Sequence, residues 1–133
     1  MKTLFKLSLM LIPFLIISCE LKDKEIEKLK SETIAIHDEV MPKMDNIMKL
    51  KTSLKTELDS LSNEDSTNVQ GLIISLENAD KAMMNWMRNY DPQMKDMSDD
   101  EKIEYLKNQK SSIQEVSELM KSSISEAEDY LDQ

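Results

Sequence analysis

The 133-residue chain contains few of the residues that most active sites and cross-linked folds require: one cysteine, one histidine, one glycine and three prolines. A single cysteine excludes an intrachain disulfide and a cysteine-based zinc site, so the fold must be held together by packing. The sequence also has no Gly-rich phosphate loop, no Gly-x-Ser-x-Gly turn and no His-Glu-x-x-His helix. An enzyme is therefore the least supported class, and we expect no catalytic residue.

Carboxylates are abundant, but their positions favour solvated or capping roles. The chain has 26 acidic and 17 basic residues, for a formal charge of −9. Asp38 and Glu39 fall on a polar helix face, whereas Asp99, Asp100 and Glu101 fall at a helix start. A surface of this sign repels nucleic acid and anionic lipid, so neither is an expected partner.

The N-terminal residues have the pattern of an export signal. Lys2 and Lys6 supply positive charge ahead of a mostly apolar run at residues 7–17. Ser18 is a small residue directly before Cys19, the lone thiol. The apolar run is shorter than the roughly 20 residues that a membrane-spanning helix needs. Cleavage ahead of Cys19 is therefore predicted rather than retention.

The serine–cysteine boundary resembles the lipobox of bacterial lipoproteins, in which the cysteine sulfur receives a diacylglyceryl group before the leader is cut. The resemblance implies a signal peptide over residues 1–18 and a covalent lipid on Cys19. Two or three acyl chains on one residue form a stable membrane anchor. Removal of the leader takes two lysines with it and leaves a formal charge of −11. The alternative is an ordinary secretory signal, or an uncut anchor, with Cys19 as a bystander thiol.

The remaining composition is helix-forming, with apolar residues recurring every three or four positions and no strand pattern. The first predicted helix covers residues 21–61. It continues across Pro42, where a missing N–H and a ring clash predict a kink rather than an end. Its stripe consists of Ile26, Leu29, Thr33, Ile36, Val40, Met44, Ile47, Leu50, Leu54, Leu58 and Leu61.

Two further helices follow a polar loop at residues 62–67. The second ends before Pro92, which disfavours helical geometry at Asp91. The third begins after Ser98, which can form a capping box with Glu101. The two stripes are Val69, Leu72, Ile73, Leu76, Ala79, Met83, Trp86, Met87 and Tyr90, and then Ile103, Leu106, Ile113, Val116, Met120, Ile124, Ala127 and Leu131.

Short loops make neighbouring helices run in opposite directions. The predicted fold is therefore all-α, an antiparallel three-helix up-down-up bundle with a long, Pro-kinked first helix. A first turn near Asp65 places Met44 level with Trp86 and leaves residues 20–36 without a neighbouring helix. We accordingly predict a lipidated cysteine and helical stalk over residues 19–36, ahead of a bundle domain over residues 37–133. A coiled-coil seam with another chain is the alternative to the stalk.

Methionine is the most unusual feature, with eleven residues in the chain. Thioether and imidazole ligands suit Cu(I) or Ag(I), which gives an alternative function as a soft-metal binding protein. Its candidate ligands are His37, Met41, Met44, Met48, Met83 and Met87. The favoured interpretation is a core of flexible side chains at the kink, made of Met44, Met48, Met83, Trp86 and Met87. A haem held by His37 and a methionine is a weaker alternative, because no Cys-x-x-Cys-His motif is present.

Two stretches, IHDEVMPKM at residues 36–44 and ADKAMMNWMRNY at residues 79–90, resemble a family of small bacterial lipoproteins often labelled "viral A-type inclusion protein". The resemblance covers the lipobox and residues 34–131. The label implies no mechanism and no viral role. Some relatives carry a second histidine where this chain has Arg88, and an arginine cannot ligate a metal, so this departure weakens the metal interpretation.

Taken together, these features predict an exported, lipid-anchored protein of the bacterial cell envelope. The acidic, lysine-containing stretch at residues 20–25 resembles lipoprotein sorting signals of some Gram-negative lineages, which favours the outer membrane. The expected role is structural or protein-binding rather than enzymatic. The expected partners are the membrane, through the lipid on Cys19, and another envelope protein, with no cofactor beyond that lipid.

Overall fold

The computed structural model describes residues 12–61 and 66–132, with side chains from Glu20 onwards. The helices are α1 (Ile12–Val40), a 3₁₀ turn (Met41–Lys43), α2 (Met44–Leu58), α3 (Ser66–Asn89) and α4 (Asp99–Leu131). α1 packs on α4, and α2, α3 and α4 pack against one another. The predicted all-α class is confirmed, since the described ranges contain no strand.

The first helical stretch changes geometry at Pro42. Proline has no N–H to donate to the preceding turn, and its ring crowds the carbonyl four residues earlier, which breaks the α-helical hydrogen-bond ladder. The tighter 3₁₀ turn at Met41–Lys43 follows, and the Met44 N–H then donates to the Met41 carbonyl. The stretch predicted as one helix over residues 21–61 is therefore divided into α1 and α2.

The start of α4 is fixed by the predicted capping box, which is confirmed. The Ser98 side chain accepts a hydrogen bond from the Glu101 backbone N–H at 3.4 Å. The Glu101 carboxylate in return accepts from the Ser98 backbone N–H at 2.7 Å. These bonds satisfy two amides that have no partner inside a helix. The Ser98 hydroxyl also donates to the Glu101 carboxylate at 2.7 Å, and this bond, followed by the one from the Ser98 backbone N–H, lowers the pKa of Glu101.

Most of the apolar burial lies in one cluster, called here the main core, to which all four helices contribute. Several of its side chains, including Leu76 and Met83, have no exposed surface. Burial on this scale is the principal favourable term in folding. The main core comprises Val40, Ile47, Leu50, Leu54, Val69, Ile73, Leu76, Ala79, Met83, Trp86, Ile113, Val116, Met120, Ile124 and Ala127.

A separate small core comprises Ile26, Leu29, Met94 and Leu106. It joins α1, the connection between α3 and α4, and the early part of α4. Met94 adopts a positive φ of 46°, a left-handed conformation that costs a non-glycine residue roughly 1–2 kcal/mol. Its side chain is only 4% exposed, so its burial offsets the backbone strain.

Residues 20–36 lie along α4. Four ion pairs join α1 to α4 at nitrogen–oxygen distances of 2.6 to 3.1 Å. They are Lys22–Asp100, Glu25–Lys107, Glu32–Lys110 and Glu39–Lys121. The prediction that residues 20–36 have no neighbouring helix is wrong. That prediction followed from the first hairpin alone. Because α4 has 33 residues and α3 has 24, α4 extends along the part of α1 that α3 does not reach.

The predicted leader falls largely outside the described residues. Residues 1–11 lie beyond them, and residues 12–19 are described only as helical backbone, so the side chain of Cys19 is not placed. In the portion of the chain that the structure covers, no helix combines the length and the apolar character needed to cross a membrane.

Candidate functional site

Four aromatic rings stack in a row where α1, α3 and α4 meet. The centroid of the His37 ring lies 5.6 Å from that of Trp86, which lies 4.8 Å from that of Tyr90. Tyr90 lies 6.3 Å from Tyr105, and the three interplanar angles are between 20° and 28°. We call these four residues the aromatic ladder. It joins the edge of the main core to the α3–α4 connection.

One ring nitrogen of His37 is held by its neighbour. The Nδ1 atom lies 2.9 Å from a carboxylate oxygen of Asp38, so a proton on Nδ1 donates to that carboxylate. Nε2 makes no hydrogen bond within the described residues. In this tautomer Nε2 carries an unshared electron pair. The His37 side chain is 21% exposed, so the imidazole is largely shielded from solvent.

The two rings at the centre of the ladder carry buried polar atoms without partners. Neither Trp86 Nε1 nor the Tyr90 hydroxyl has a hydrogen-bond partner among the described residues. Such orphaned groups are uncommon, because each costs about 1–3 kcal/mol in lost hydration. Burial raises the pKa of the Tyr90 hydroxyl, with smaller contributions from Tyr105 and Asp91. The centre of the ladder is therefore a poorly hydrated environment.

The last ring of the ladder is tied to the α3–α4 connection. The Tyr105 hydroxyl oxygen accepts a hydrogen bond from the Asp91 backbone N–H at 2.7 Å. The Asp91 carboxylate in turn accepts from the Gln93 backbone N–H at 2.9 Å, which closes a turn after α3. The open end of the ladder is thus His37, and the tethered end is Tyr105.

The methionines predicted to gather at this place divide into three groups. Met83 is fully buried, whereas Met44 and Met87 are half-buried at the margin of the main core. Met41 and Met48 are exposed, at 36% and 54%. The structure thus places one imidazole and three of the five candidate thioethers at or within the core.

The assignment of Met48 to the core is a wrong prediction. The buried residues of α2 are Ile47, Leu50 and Leu54, which share one helical face. Met48 follows Ile47 directly and is therefore rotated about 100° from that face. The other four predicted residues, Met44, Met83, Trp86 and Met87, all belong to the main core or pack against it.

Tyr105 was missed by the sequence patterns. It lies beside Leu106 but off the apolar stripe of the third predicted helix, so periodicity gave no reason to place it inward. The signal that would have found it is the length of that helix, which exceeds the length of the second. The excess brings the start of α4 alongside both α1 and the end of α3.

In the described ranges, no three or more His, Cys, Asp or Glu side chains lie close enough together to hold a metal ion. An ion near His37 would need thioether ligands.

Comparisons with known proteins add no relative. No family model matches the chain, and neither a curated protein nor a solved structure is significantly similar to it.

Proposed function

We propose that this chain is a lipid-anchored helical module of the bacterial cell envelope, attached through Cys19, with a structural or protein-binding role and no enzymatic activity. The observation that carries the proposal is the position of the lone cysteine. Cys19 follows a short apolar run and Ser18, and charged residues begin at Glu20. No other thiol is present in the chain, so Cys19 is the one residue whose sulfur can carry the lipid.

The proposed architecture is an antiparallel up-down-up bundle with a first helix kinked at Pro42. Its support comes from the register of the contacts. The four ion pairs between α1 and α4 join residues that are 78 or 82 positions apart. An offset that varies by no more than four residues, about one helical turn, is what two parallel helices produce. The ladder contact between His37 and Trp86 and the ion pair between Lys51 and Glu77 become closer in sequence toward the hairpin, as antiparallel helices require.

The contacts of α1 favour a body that lies directly at the membrane without a free stalk. Lys22 pairs with Asp100 at the start of α4, and Lys22 is only three residues from Cys19. Three residues of helix span about 4.5 Å. The α3–α4 connection is then adjacent to the lipid, and the α2–α3 connection points away. Leu21, which is 62% exposed, would lie at the lipid interface.

Anchoring is tested by mass spectrometry of the protein purified from its native membrane. We expect a chain that begins at Cys19 and carries a diacylglyceryl group on its sulfur. Cys19→Ser should retain the leader and lose the lipid mass. A native chain with an unmodified sulfur and an intact leader would rule out the proposal.

Orientation is tested on the lipidated protein, which has no free thiol. Single cysteines introduced as Lys95→Cys and Asp59→Cys, both at exposed positions, can each carry a fluorophore. In vesicles with quencher-labelled lipid headgroups, the probe at position 95 should be quenched and the probe at position 59 should not. Equal quenching at the two positions would contradict the proposed orientation while leaving the anchor intact.

The protein-binding role is tested by photocrosslinking in intact cells. Ile74 is 56% exposed on α3, which makes it a large apolar residue in contact with solvent. A photoreactive residue at position 74 should give one discrete adduct in the envelope. The same residue at Glu118, an exposed polar position on α4, is the matched control. Identical adduct patterns from both positions would argue against a specific partner on α3.

A further inference from the structure

The outer surface shared by α2 and α3 combines exposed thioethers with cations. We call it the α2–α3 face, and it presents Met48, Lys55, Lys81, Met84 and Arg88 to solvent. We propose that this face binds an amphipathic helix of another envelope protein, one whose apolar residues are flanked by carboxylates. The inference rests on the protein-binding role proposed above and names the chemistry of the partner.

An ion pair fixes which sides of α2 and α3 are adjacent. The Lys51 ammonium lies 3.7 Å from a Glu77 carboxylate oxygen, and the Lys51 side chain is only 14% exposed. The two helices run in opposite directions in the architecture proposed above. Residues that precede Lys51 on α2 therefore lie level with residues that follow Glu77 on α3.

On α2, one stripe of side chains passes through Lys51. Its members follow one another at steps of four, three and four residues, so they share one side of the helix. They are Met44, Met48, Lys51 and Lys55. Met48 is 54% exposed and Lys55 is exposed, whereas Met44 is half-buried against the main core. This side of α2 therefore offers a thioether and a cation to solvent next to α3.

On α3, a stripe of the same spacing passes through Glu77. Its members are Glu77, Lys81, Met84 and Arg88. Met84 is 44% exposed, and Lys81 and Arg88 are exposed as well. Ile74, which is 56% exposed, lies less than one turn before Glu77. This side of α3 thus also mixes apolar and cationic groups.

The two exposed methionines lie toward the same end of the face. At 1.5 Å per residue, Met48 lies about 4.5 Å before Lys51 along α2, and Met84 lies about 10 Å after Glu77 along α3. Their positions along the helix axes therefore differ by about 6 Å, close to one helical turn. A bound helix that covers one turn of this face meets both thioethers.

The cations of the face lack acidic partners. Lys55 and Lys81 form no ion pair within the described residues. Arg88 donates to the Met84 carbonyl and to the Asn85 side-chain oxygen, neither of which is a carboxylate. α2 and α3 together carry five basic and four acidic side chains, whereas α4 carries four basic and nine acidic ones. On this acidic protein, the α2–α3 face is therefore the surface that complements an acidic partner.

A helix suits the shape and the chemistry of this surface. The furrow between two adjacent helices accepts the apolar stripe of a third helix, and flexible thioethers adapt to the side chains placed on them. An anionic membrane carries the same sign of charge as the proposed partner. The lipid anchor proposed at Cys19, however, directs the α2–α3 connection away from the bilayer, which favours a protein.

The experiment uses the lipidated full-length protein in phosphatidylcholine vesicles and a fluorescent peptide of about 18 residues, long enough to form a helix. Its leucines recur every three or four positions, with glutamates beside them. Fluorescence anisotropy should show saturable binding above the background of protein-free vesicles. Replacing the glutamates by glutamines should weaken binding by about three-fold or more, and scrambling the sequence should abolish it. The net negative charge of the protein alone predicts the opposite effect of the glutamine replacement.

Matched variants locate the peptide. Lys81→Glu should weaken binding by about three-fold or more, whereas Lys95→Glu, the same change at an exposed lysine outside the face, should not. Met84→Ala should weaken binding, whereas Leu119→Ala, at a residue of α4 that is 36% exposed, should not. Equal affinities of the face variants and their controls would overturn the proposal. So would equal binding of the glutamate and glutamine peptides to the unsubstituted protein, a result that no folding defect can produce.

Other occupants of the face give different results. A photoreactive residue at position 84 should attach to the peptide, and one at position 119 should not. An adduct between two copies of the protein through position 84 would instead assign the face to a second copy. Added phosphatidylglycerol vesicles should not be bridged to the protein-bearing vesicles. Bridging detected by light scattering and lost in Lys81→Glu would assign the face to an anionic membrane, and either result would overturn the proposal.

Failure of this inference is distinguishable from failure of the proposed function. A discrete envelope adduct from position 74 in cells, together with no binding of the glutamate peptide, would reject the acidic helix and retain the protein-binding role. An unmodified sulfur on Cys19 would reject the lipid anchor whatever the peptide does.

Discussion

The main core and the small core are built on different principles, although both lie along α4. The main core encloses fifteen buried apolar residues from all four helices. The small core has four residues, Ile26, Leu29, Met94 and Leu106, and the ion pairs Lys22–Asp100, Glu25–Lys107 and Glu32–Lys110 join the same stretch of α1 to α4.

This difference follows from the number of helices available at each level. Where α2, α3 and α4 face each other, side chains are enclosed from several directions, so apolar residues are stabilised by burial. Where α1 meets only α4 and the α3–α4 connection, the seam is narrow and charged residues flank it. Exposed ion pairs add little stability, but they select the correct register between two helices. We therefore expect the main core to set global stability and the small core to open separately.

The largest expected effect comes from matched leucine truncations in the two cores. Leu76 and Leu106 are both fully buried, so Leu76→Ala and Leu106→Ala remove the same atoms. We expect Leu76→Ala to lower the free energy of unfolding by about 3–5 kcal/mol and Leu106→Ala by about 2–3 kcal/mol, because the narrow seam can collapse more readily around the cavity. Urea titration of each variant measures both values.

Hydrogen exchange on the same two variants sharpens the comparison. Leu106→Ala should accelerate exchange in residues 22–36 and in the first turns of α4, with the rest of the chain protected as before. Leu76→Ala should accelerate exchange in every helix. If Leu106→Ala also accelerates exchange throughout α3, the two cores form one cooperative unit and the distinction between them fails.

The next effect in size concerns the start of α4, on which the small core depends. Ser98→Ala removes the acceptor for the Glu101 backbone N–H, which should cost about 1 kcal/mol. Ser98→Thr, which retains a hydroxyl that can accept from the Glu101 N–H and donate to the Glu101 carboxylate, is the control and should be nearly neutral. Thermal unfolding followed by circular dichroism gives both values, and equal losses from the two substitutions would show that the cap contributes nothing.

A pair of hydroxyl deletions in the aromatic ladder should act in opposite directions. Tyr90→Phe removes a buried hydroxyl that has no partner, so the free energy of unfolding should stay constant or rise by up to about 1 kcal/mol. Tyr105→Phe removes the acceptor for the Asp91 N–H and should lower the free energy of unfolding by about 0.5–1 kcal/mol. Chemical denaturation at neutral pH measures whether each substitution raises or lowers the free energy of unfolding.

The same pair predicts a difference at alkaline pH. Burial raises the pKa of Tyr90, so the folded state holds this proton more tightly than the unfolded state does. Stability from this group is complete below about pH 10 and is lost as the pH rises through the folded pKa. Tyr90→Phe should remove that loss, whereas Tyr105→Phe should retain most of it, because burial is the main cause of the raised pKa of Tyr90 and Tyr105 a smaller one. If Tyr90→Phe loses stability at alkaline pH as the parent protein does, other titrating groups cause the loss.

Sequence patterns predicted the local elements well and the long-range pairing less well. The turn at Ser98 and the buried positions of α3 follow from capping chemistry and a period of 3.6 residues, which act within a few residues. The partner of residues 20–36 depends on the relative lengths of three helices, a property that no single stretch encodes. Met48 was misplaced because a step of four residues suits one helical stripe as well as a step of three does.

The candidate site shows the same division. The hairpin register predicted that Trp86 faces the first helical stretch, and His37 of that stretch stacks on it. The Asp38 contact that orients the imidazole and the partial burial of Met87 depend on side-chain rotamers and packing, which the helical period does not predict. Tyr105 was missed because only the excess length of α4 brings it to the ladder.

The smallest expected effect tests the ion pairs between α1 and α4. Lys110 lowers the pKa of Glu32 mainly through their hydrogen bond, and Lys121 lowers that of Glu39 in the same way. Because both folded pKa values lie below the unfolded ones, stability from these pairs is present above about pH 5 and is lost as the pH falls through the folded values. Lys110→Gln should flatten this acid dependence slightly, and the flattening should vanish in 1 M salt, which screens exposed charges.

The matched control is Lys49→Gln, because Lys49 is exposed on α2 and has no ion pair within the described residues. If the two variants have the same acid profile, the ion pairs along α1 fix neither register nor stability, and the apolar residues of the small core hold α1 on α4 by themselves.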